Sequence, residues 1–378
     1  VDGLITLALL AGLGAAVQAL LHWALRQADW AVIRANSTLL AVGRYPVGQQ
    51  WRLWLLTALL LLACGGGWGL LRGRGWPRND RLAATLLVGL ALVLPWSLAL
   101  DSAVQARWWG LTALLLLGRW TSGRWGSRLP KRYRPLLPLV WPLLYVAGLA
   151  LIGGGLGLQT VTPSQWGGLL LTLLAASFAI SLCFPLGIAL ALARRSALPL
   201  LRWSATVYIE FIRGAPLITL LFLGQNILGF LLPGGFAPDR LWRAIWILTF
   251  FASAYVAEAV RAGLAALPRG QEEAARSLGL NNLQTLQHVV LPQALRVALP
   301  TTVGQFITLL QDTTLLSLIG LLDLLGVARA IMTNPDFLGR NAEVYLVLAV
   351  LFWCCCAALG LGSRALEQRL ARHRNPTR

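Results

Sequence analysis

The sequence predicts an all-α polytopic transmembrane helical bundle, and three observations carry that prediction. Only 12% of its 378 residues are charged and 57% are hydrophobic, whereas a soluble domain carries about 25% charged residues. Mean hydropathy is +0.68. Apolar runs long enough to cross a bilayer, about 20 residues each, recur along nearly the whole chain.

Applied in order, that length rule places spans near residues 3–21, 53–71, 82–100, 136–158, 166–193, 205–232, 241–262, 298–322 and 343–363. The first of these is too long for a signal-peptide core and lacks a cleavage site, so an uncleaved helix is expected, in a chain trimmed ahead of Val1. Trp108–Leu117 is apolar but too short to cross alone and reads as interfacial or re-entrant. Four regions result: an N-terminal transmembrane extension of about three helices over 1–135, an additional span with its external linker over 136–165, a five-helix unit over 166–365, and a basic cytoplasmic tail over 366–378.

A net charge of +18 could point to nucleic acid, but no nucleic-acid-binding motif accompanies it. The arginines sit in short linkers between apolar runs, where they mark the cytoplasmic side. Arg194, Arg195 and Arg202 therefore put the loop after the fifth span inside. Alternation brings Arg269, Arg276 and Arg296 to the same side, followed by the tail with Arg364, Arg369, Arg372, Arg374 and Arg378. Traced backwards it puts Arg119 to Arg134 and Gln27 to Arg52 inside. It leaves residues 72–81 outside despite Arg72, Arg74, Arg78 and Arg81, a conflict within the first region.

Covalent chemistry finds little support. A phosphate-cradling loop ends in Gly-Lys-Ser/Thr, and the single lysine, Lys131, follows Pro130. His22, His288 and His373 are far apart, and no cluster has metal-ligand spacing, so neither catalytic nor metal residues are assigned. Cys64, Cys183, Cys354, Cys355 and Cys356 lie in apolar segments without paired spacing and read as small buried hydrophobes.

One polar stretch stands apart: "EEAARSLGLNNLQTLQHVVLPQALRVALP", residues 272–300. Leu267-Pro268-Arg269-Gly270 breaks the preceding span. Gln271 to Leu278 is a good helix former, with Glu272 and Glu273 in its first turn, where the helix dipole favours carboxylates. Gly279 suits a left-handed helix end. Asn281 and Asn282 can cap a second helix, which Pro292 kinks or closes. A short helix-turn-helix on the cytoplasmic face is expected. Ala274 and Ala275 would let another protein approach the backbone, and Glu273 could reach a basic partner; the plainer account is an amphipathic surface helix.

The pattern Glu273-Ala274-Ala275, three residues, Gly279, nine residues, Val289, one residue, Leu291-Pro292 resembles the EAA signature of permease subunits of bacterial ABC importers, with Val289 where isoleucine is more usual. "YIEFIRGAPLITLLF", "AYVAEAVRAGLAALPRGQEEAARSLGL" and "LPQALRVALPTTVGQFITLLQDTTLLSLIGLLDLL" are similar to the polar and general L-amino-acid importers. "WAVIRANSTLLAVGRYPVGQQWRLW" is similar to their longer permease. The resemblance implies a five-helix ABC-importer permease core in a multi-pass protein of the bacterial cytoplasmic (inner) membrane. It implies that Glu272, Glu273, Ala274, Ala275, Gly279, Leu291 and Pro292 couple to an ATPase. The implied partners are a homologous second permease, a cytoplasmic ATPase dimer and an extracytoplasmic substrate-binding protein. The implied cargo is an amino acid; ATP and Mg would be bound by the partner ATPase and no cofactor by this chain.

Polar residues within spans complete the reading. Glu210 and Arg213, and Glu258 and Arg261, each lie three apart on one helix face. Intrahelical pairing, snorkelling to headgroups, and a gate beside the path all fit them. Gly214-Ala215-Pro216 should loosen its helix, as a packing kink or where freed backbone lines a cavity. Gln305, Gln311, Asp312, Thr313 and Thr314 form a deep polar cluster, and an aspartate near mid-span costs about 2.5 to 3.5 kcal/mol to insert. The resemblance points to a translocation path there, against plain interhelical hydrogen bonding. The family more often has lysine where Gln311 stands. Two other classes stay in view: an ion-coupled secondary transporter, which would show inverted repeats, and a non-conducting scaffold subunit.

Overall fold

A computed structural model describes residues 2–72, 75–76, 78–97, 102–125, 137, 139–155, 157–231, 238–268 and 270–372. Arg74, Lys131, Arg269, His373, residues 126–136 of the basic linker and residues 373–378 of the tail lie outside them. The described residues contain helices, turns and one isolated bridge but no strand. Their contacts divide the chain into two compact units: Val1–Ser37 with Arg44–Gln165, and Thr38–Gly43 with Trp166–Arg378.

The first unit holds α1 (Asp2–Arg26), most of α2 (Ala31–Val42), α3 (Trp51–Arg72), α4 (Arg78–Ser97), α5 (Ser102–Trp125) and α6 (Val140–Gly153). Residues 2–125 thus carry five helices where about three were expected. Helices α3 and α5 meet through missing side chains, as membrane helices do when small residues line the seam. A Cβ on Gly65 would fall 2.0 Å from the Leu115 carbonyl oxygen, and one on Gly118 2.5 Å from that of Leu62. Beside this seam Arg119 is sealed in. It donates to the Gly75 carbonyl at 2.7 Å and to Asp80 at 3.2 Å, with Trp68 and Trp76 against its guanidinium.

The second unit holds α7 (Gly168–Arg194), α8 (Pro199–Gly214), α9 (Leu217–Leu231), α10 (Arg240–Ala265), α11 (Gly270–Ser277), α12 (Asn282–Thr285), α13 (Leu291–Asp312), α14 (Leu324–Met332) and α15 (Asn341–Arg372). Its centre is α10, packed between α7 and α13. Gly187 admits Val256, and Gly263 admits the Ala294 carbonyl, each at a distance that a Cβ would close. Asp239 caps α10 by accepting from the Leu241 amide. Among the described residues five helices are long and apolar enough to cross a membrane, or six if the bent pair α8–α9 is one span.

The expected single span over 205–232 is that bent pair. Its halves meet at 109°. The cause is local: Pro216 offers no amide hydrogen, and the residue before a proline is driven to extended backbone. Ala215 has φ −96 and ψ 137. The expected span over 298–322 is also shortened, since α13 ends at Asp312 and a 3₁₀ stretch, Thr313–Ile319, runs to Gly320 at φ +80. Of the five cysteines, Cys183 is buried whereas Cys64 and Cys354 are exposed, so burial describes only part of that set.

Within the Gln27 to Arg52 stretch, the expected cytoplasmic placement fails at residues 40–43. A Cβ on Gly43 would meet the Gly167 Cα at 2.4 Å, and one on Gly168 the Leu40 carbonyl at 2.2 Å. The Gly168 amide donates to Leu322 at 2.8 Å. Residues 40–43 therefore lie at the end of α7 opposite Arg194. Within the first unit Tyr45 donates to the Ile152 carbonyl and Arg52 to that of Gln159, each at 2.9 Å. With Arg194 inside, residues 40–43 are outside. Trp108–Leu117, expected as a short interfacial or re-entrant piece, belongs to the 24-residue helix α5.

Candidate functional site

The polar stretch folds as a capped helix followed by a long helical run. Helix α11 opens with Glu272 and Glu273 in its first turn and ends at Gly279, whose φ of +83 is the left-handed conformation glycine adopts freely. The Gly279 amide donates to Arg276 and the Leu280 amide to Ala275, closing the helix end. Asn281 and Gln284 then form a reciprocal capping box. The second element departs from expectation. After α12 come one π turn, Leu286–Val290, and α13 without a break. Pro292 ends nothing, because it sits in the first turn of α13 immediately after the widened turn.

This segment is anchored on one side and open on the other. Ala275 is 4% exposed, and Gln293 donates to Gln271 and to the Val289 carbonyl, tying α11 to the start of α13. Glu273, Ala274, Gly279 and Pro292 are exposed and Leu291 is half-buried. Leu278 is 83% exposed and Leu283 60%. Glu272 is half-buried and lies 3.6 Å from Arg195 at the C-terminal end of α7.

The four charges picked out by spacing form one cluster, but with different partners. Glu258 and Arg261 pair within α10 at 2.8 Å as their spacing suggested. Glu210 instead pairs with Arg194 of α7 at 2.8 Å, and Arg213 approaches Glu258 at 3.8 Å. The second arm of Arg194 reaches Glu258 at 2.5 Å. Arg194 thus joins α7, α8 and α10, a role the sequence reading gave only to loop orientation. The available signal was its place in the last turn of α7, opposite two carboxylates in otherwise apolar helices. Pro216 is exposed at the α8–α9 bend.

The deep polar cluster is only partly brought together. Gln305 and Asp312 are seven apart on α13, hence on one face, and both are half-buried. No hydrogen bond or ion pair reaches the Asp312 carboxylate among the described residues. Gln311 is exposed and its amide approaches the Cys356 sulfur at 3.8 Å. Thr314 donates to Gln311, and Thr313 to Leu310. Thr313 is fully buried with its hydroxyl turned back onto the helix, so it offers nothing to a path.

Comparison with known proteins decides the class. A family model described as the inner membrane component of binding-protein-dependent transport systems matches residues 183–372, half of the chain. The chain belongs to this family. The match to this inner membrane component contains all of the polar stretch, the charge cluster and the deep polar residues. The amino-acid ABC transporter permease YhdY of Escherichia coli is 43% identical over 63% of this chain and 63% of its own length. BztC of Rhodobacter capsulatus, a permease for glutamate, glutamine, aspartate and asparagine, is 36% identical over 91% of this chain and 79% of its own. A crystal structure of an amino acid ABC transporter with histidines is 32% identical over 53% of this chain and 92% of its own, with a TM-score of 0.48. The inner membrane component is therefore a multi-pass protein of the bacterial inner membrane, and its relatives are transport permeases.

Proposed function

We propose that the chain is the permease subunit of an ATP-driven amino-acid importer and carries no covalent chemistry of its own. It works beside a second permease, over two cytoplasmic ATPase subunits that hold ATP and Mg, and under an extracytoplasmic binding protein. The observation that carries this reading is the capped, outward-facing α11. Glu273, Ala274, Leu278 and Gly279 present charge, flat backbone and apolar surface on the arginine-rich side, while Ala275 anchors the helix. The names of YhdY and BztC support an amino-acid cargo. Gln305, Gln311, Asp312 and Thr314 would meet it, the unpaired Asp312 carboxylate suiting an ammonium group. ATP-driven motion of the partner biases two states of the membrane helices, as any differential ligand does.

The test is copurification from bacterial membrane through a tag on this chain, with and without Glu273→Lys. Wild type should bring down an ATPase, and the variant should insert normally but lose it or lose uptake by about tenfold, a typical coupling effect. Undiminished ATPase recovery and uptake in both Glu273→Lys and Gly279→Asp would overturn the docking assignment.

A further inference from the structure

We infer that Arg194 is the positioning residue that carries motion of α11 into the membrane helices. This inference rests on the assignment of residues 272–292 as the ATPase-docking segment. Chain connection alone gives α11 two routes, back along α10 and onward into α13. Side chains add a third. Glu272 of α11 lies 3.6 Å from Arg195, and the adjacent Arg194 holds Glu210 of α8 with one nitrogen and Glu258 of α10 with the other. Helices α7, α8 and α10 and the docking helix are thereby linked through two neighbouring arginines at the end of α7.

The chemistry of the link is specific to arginine. A guanidinium presents donors in a fixed planar fork and stays charged, so it can hold two carboxylates in set directions. A lysine is a point charge on a flexible stem and cannot reproduce that geometry. The Arg194 side chain is 24% exposed and that of Glu210 57%, so the contacts sit at the water boundary and can part without burying a bare charge. Glu258, 18% exposed, is held from Arg194, Arg213 and Arg261 together. It keeps cationic partners when one contact opens. Such a cluster has more than one satisfied arrangement, which is what an element switching between two states requires.

The experiment uses the tagged complex reconstituted in proteoliposomes. Uptake of radiolabelled L-glutamine, L-glutamate and L-histidine is measured against ATP hydrolysed, for wild type, Arg194→Gln and Arg194→Lys. Both variants should assemble and hydrolyse ATP, while uptake per ATP falls about tenfold in Arg194→Gln, a size typical of coupling between sites, and by less in Arg194→Lys. Glu258→Gln added to Arg194→Gln should cost less than its effect alone, because the two act through one link. Unchanged uptake per ATP in Arg194→Gln overturns the inference. So does a loss of assembled complex that lowers uptake and hydrolysis in proportion in both variants, which would make Arg194 a plain structural tie. Failure of wild type to bring down an ATPase overturns the docking assignment itself, a different result from a coupled wild type that Arg194→Gln leaves coupled.

Discussion

Arg119 and Arg194 each meet a carboxylate from another helix, and they differ in everything else. Arg119 is 1% exposed and Asp80 4%, with two tryptophan rings and a backbone carbonyl completing the enclosure. Arg194 sits at the water boundary with two carboxylates, one of them more than half exposed. Separating a sealed pair leaves charges in a medium that cannot solvate them, whereas water receives the charges of an open one. The first is a fastening and the second a contact that can be made and unmade. Burial distinguishes the two roles where residue type does not.

The largest effect expected from that contrast is on folding. Asp80→Ala should destabilise the protein by about 3–5 kcal/mol, the usual result of stripping one partner from a buried ion pair. Arg194→Gln should stay within about 1 kcal/mol, as partly exposed pairs do. Thermal unfolding of both in detergent checks this, and similar transition temperatures would erase the distinction. Next in size, Gly118→Leu should cost about 1–3 kcal/mol by forcing α5 away from the Leu62 carbonyl. The same readout serves, with Gly66→Leu, where an added Cβ would meet nothing within 4 Å outside its own helix, as the milder comparison. Smallest for stability and confined to function, Asp312→Asn should weaken amino-acid uptake about tenfold, the worth of one charge-assisted hydrogen bond to the α-ammonium group. Assembly should be unchanged, and an identical uptake profile over neutral, acidic and basic amino acids would remove Asp312 from the path.

How much of this was legible depends on whether a signal is local. Gly279, the Asn281 cap and a loosening at Pro216 were readable because each is fixed by the conformational limits of one or two residues, though the size of the bend was not. The class was readable because the EAA spacing is contiguous. Arg194 was read as a topology marker because its partners are 16 and 64 residues away. Spacing favoured Glu210–Arg213, a pair on one helix, over the interhelical contacts that form. The clasp of Gly43 on Gly167 was invisible for the same reason.

The π turn at Leu286–Val290 has a consequence of phase. From Asn282 to Asp312 the chain is one helical run, so the azimuth of Gln305 and Asp312 is set by counting residues from the Asn281 cap. A π turn holds one residue more than an α turn, and each residue of an α-helix advances the face by about 100°. Deleting one residue between 286 and 290 would let the turn close as ordinary α-helix. The docking end and the membrane end would then keep both their contacts and their relative facing, because the surplus residue is taken up inside the widened turn, whose i→i+5 bond replaces the i→i+4 bond of an α turn. A residue inserted beyond the turn, in ordinary α-helix, would instead rotate the membrane end by about 100° against the docking end.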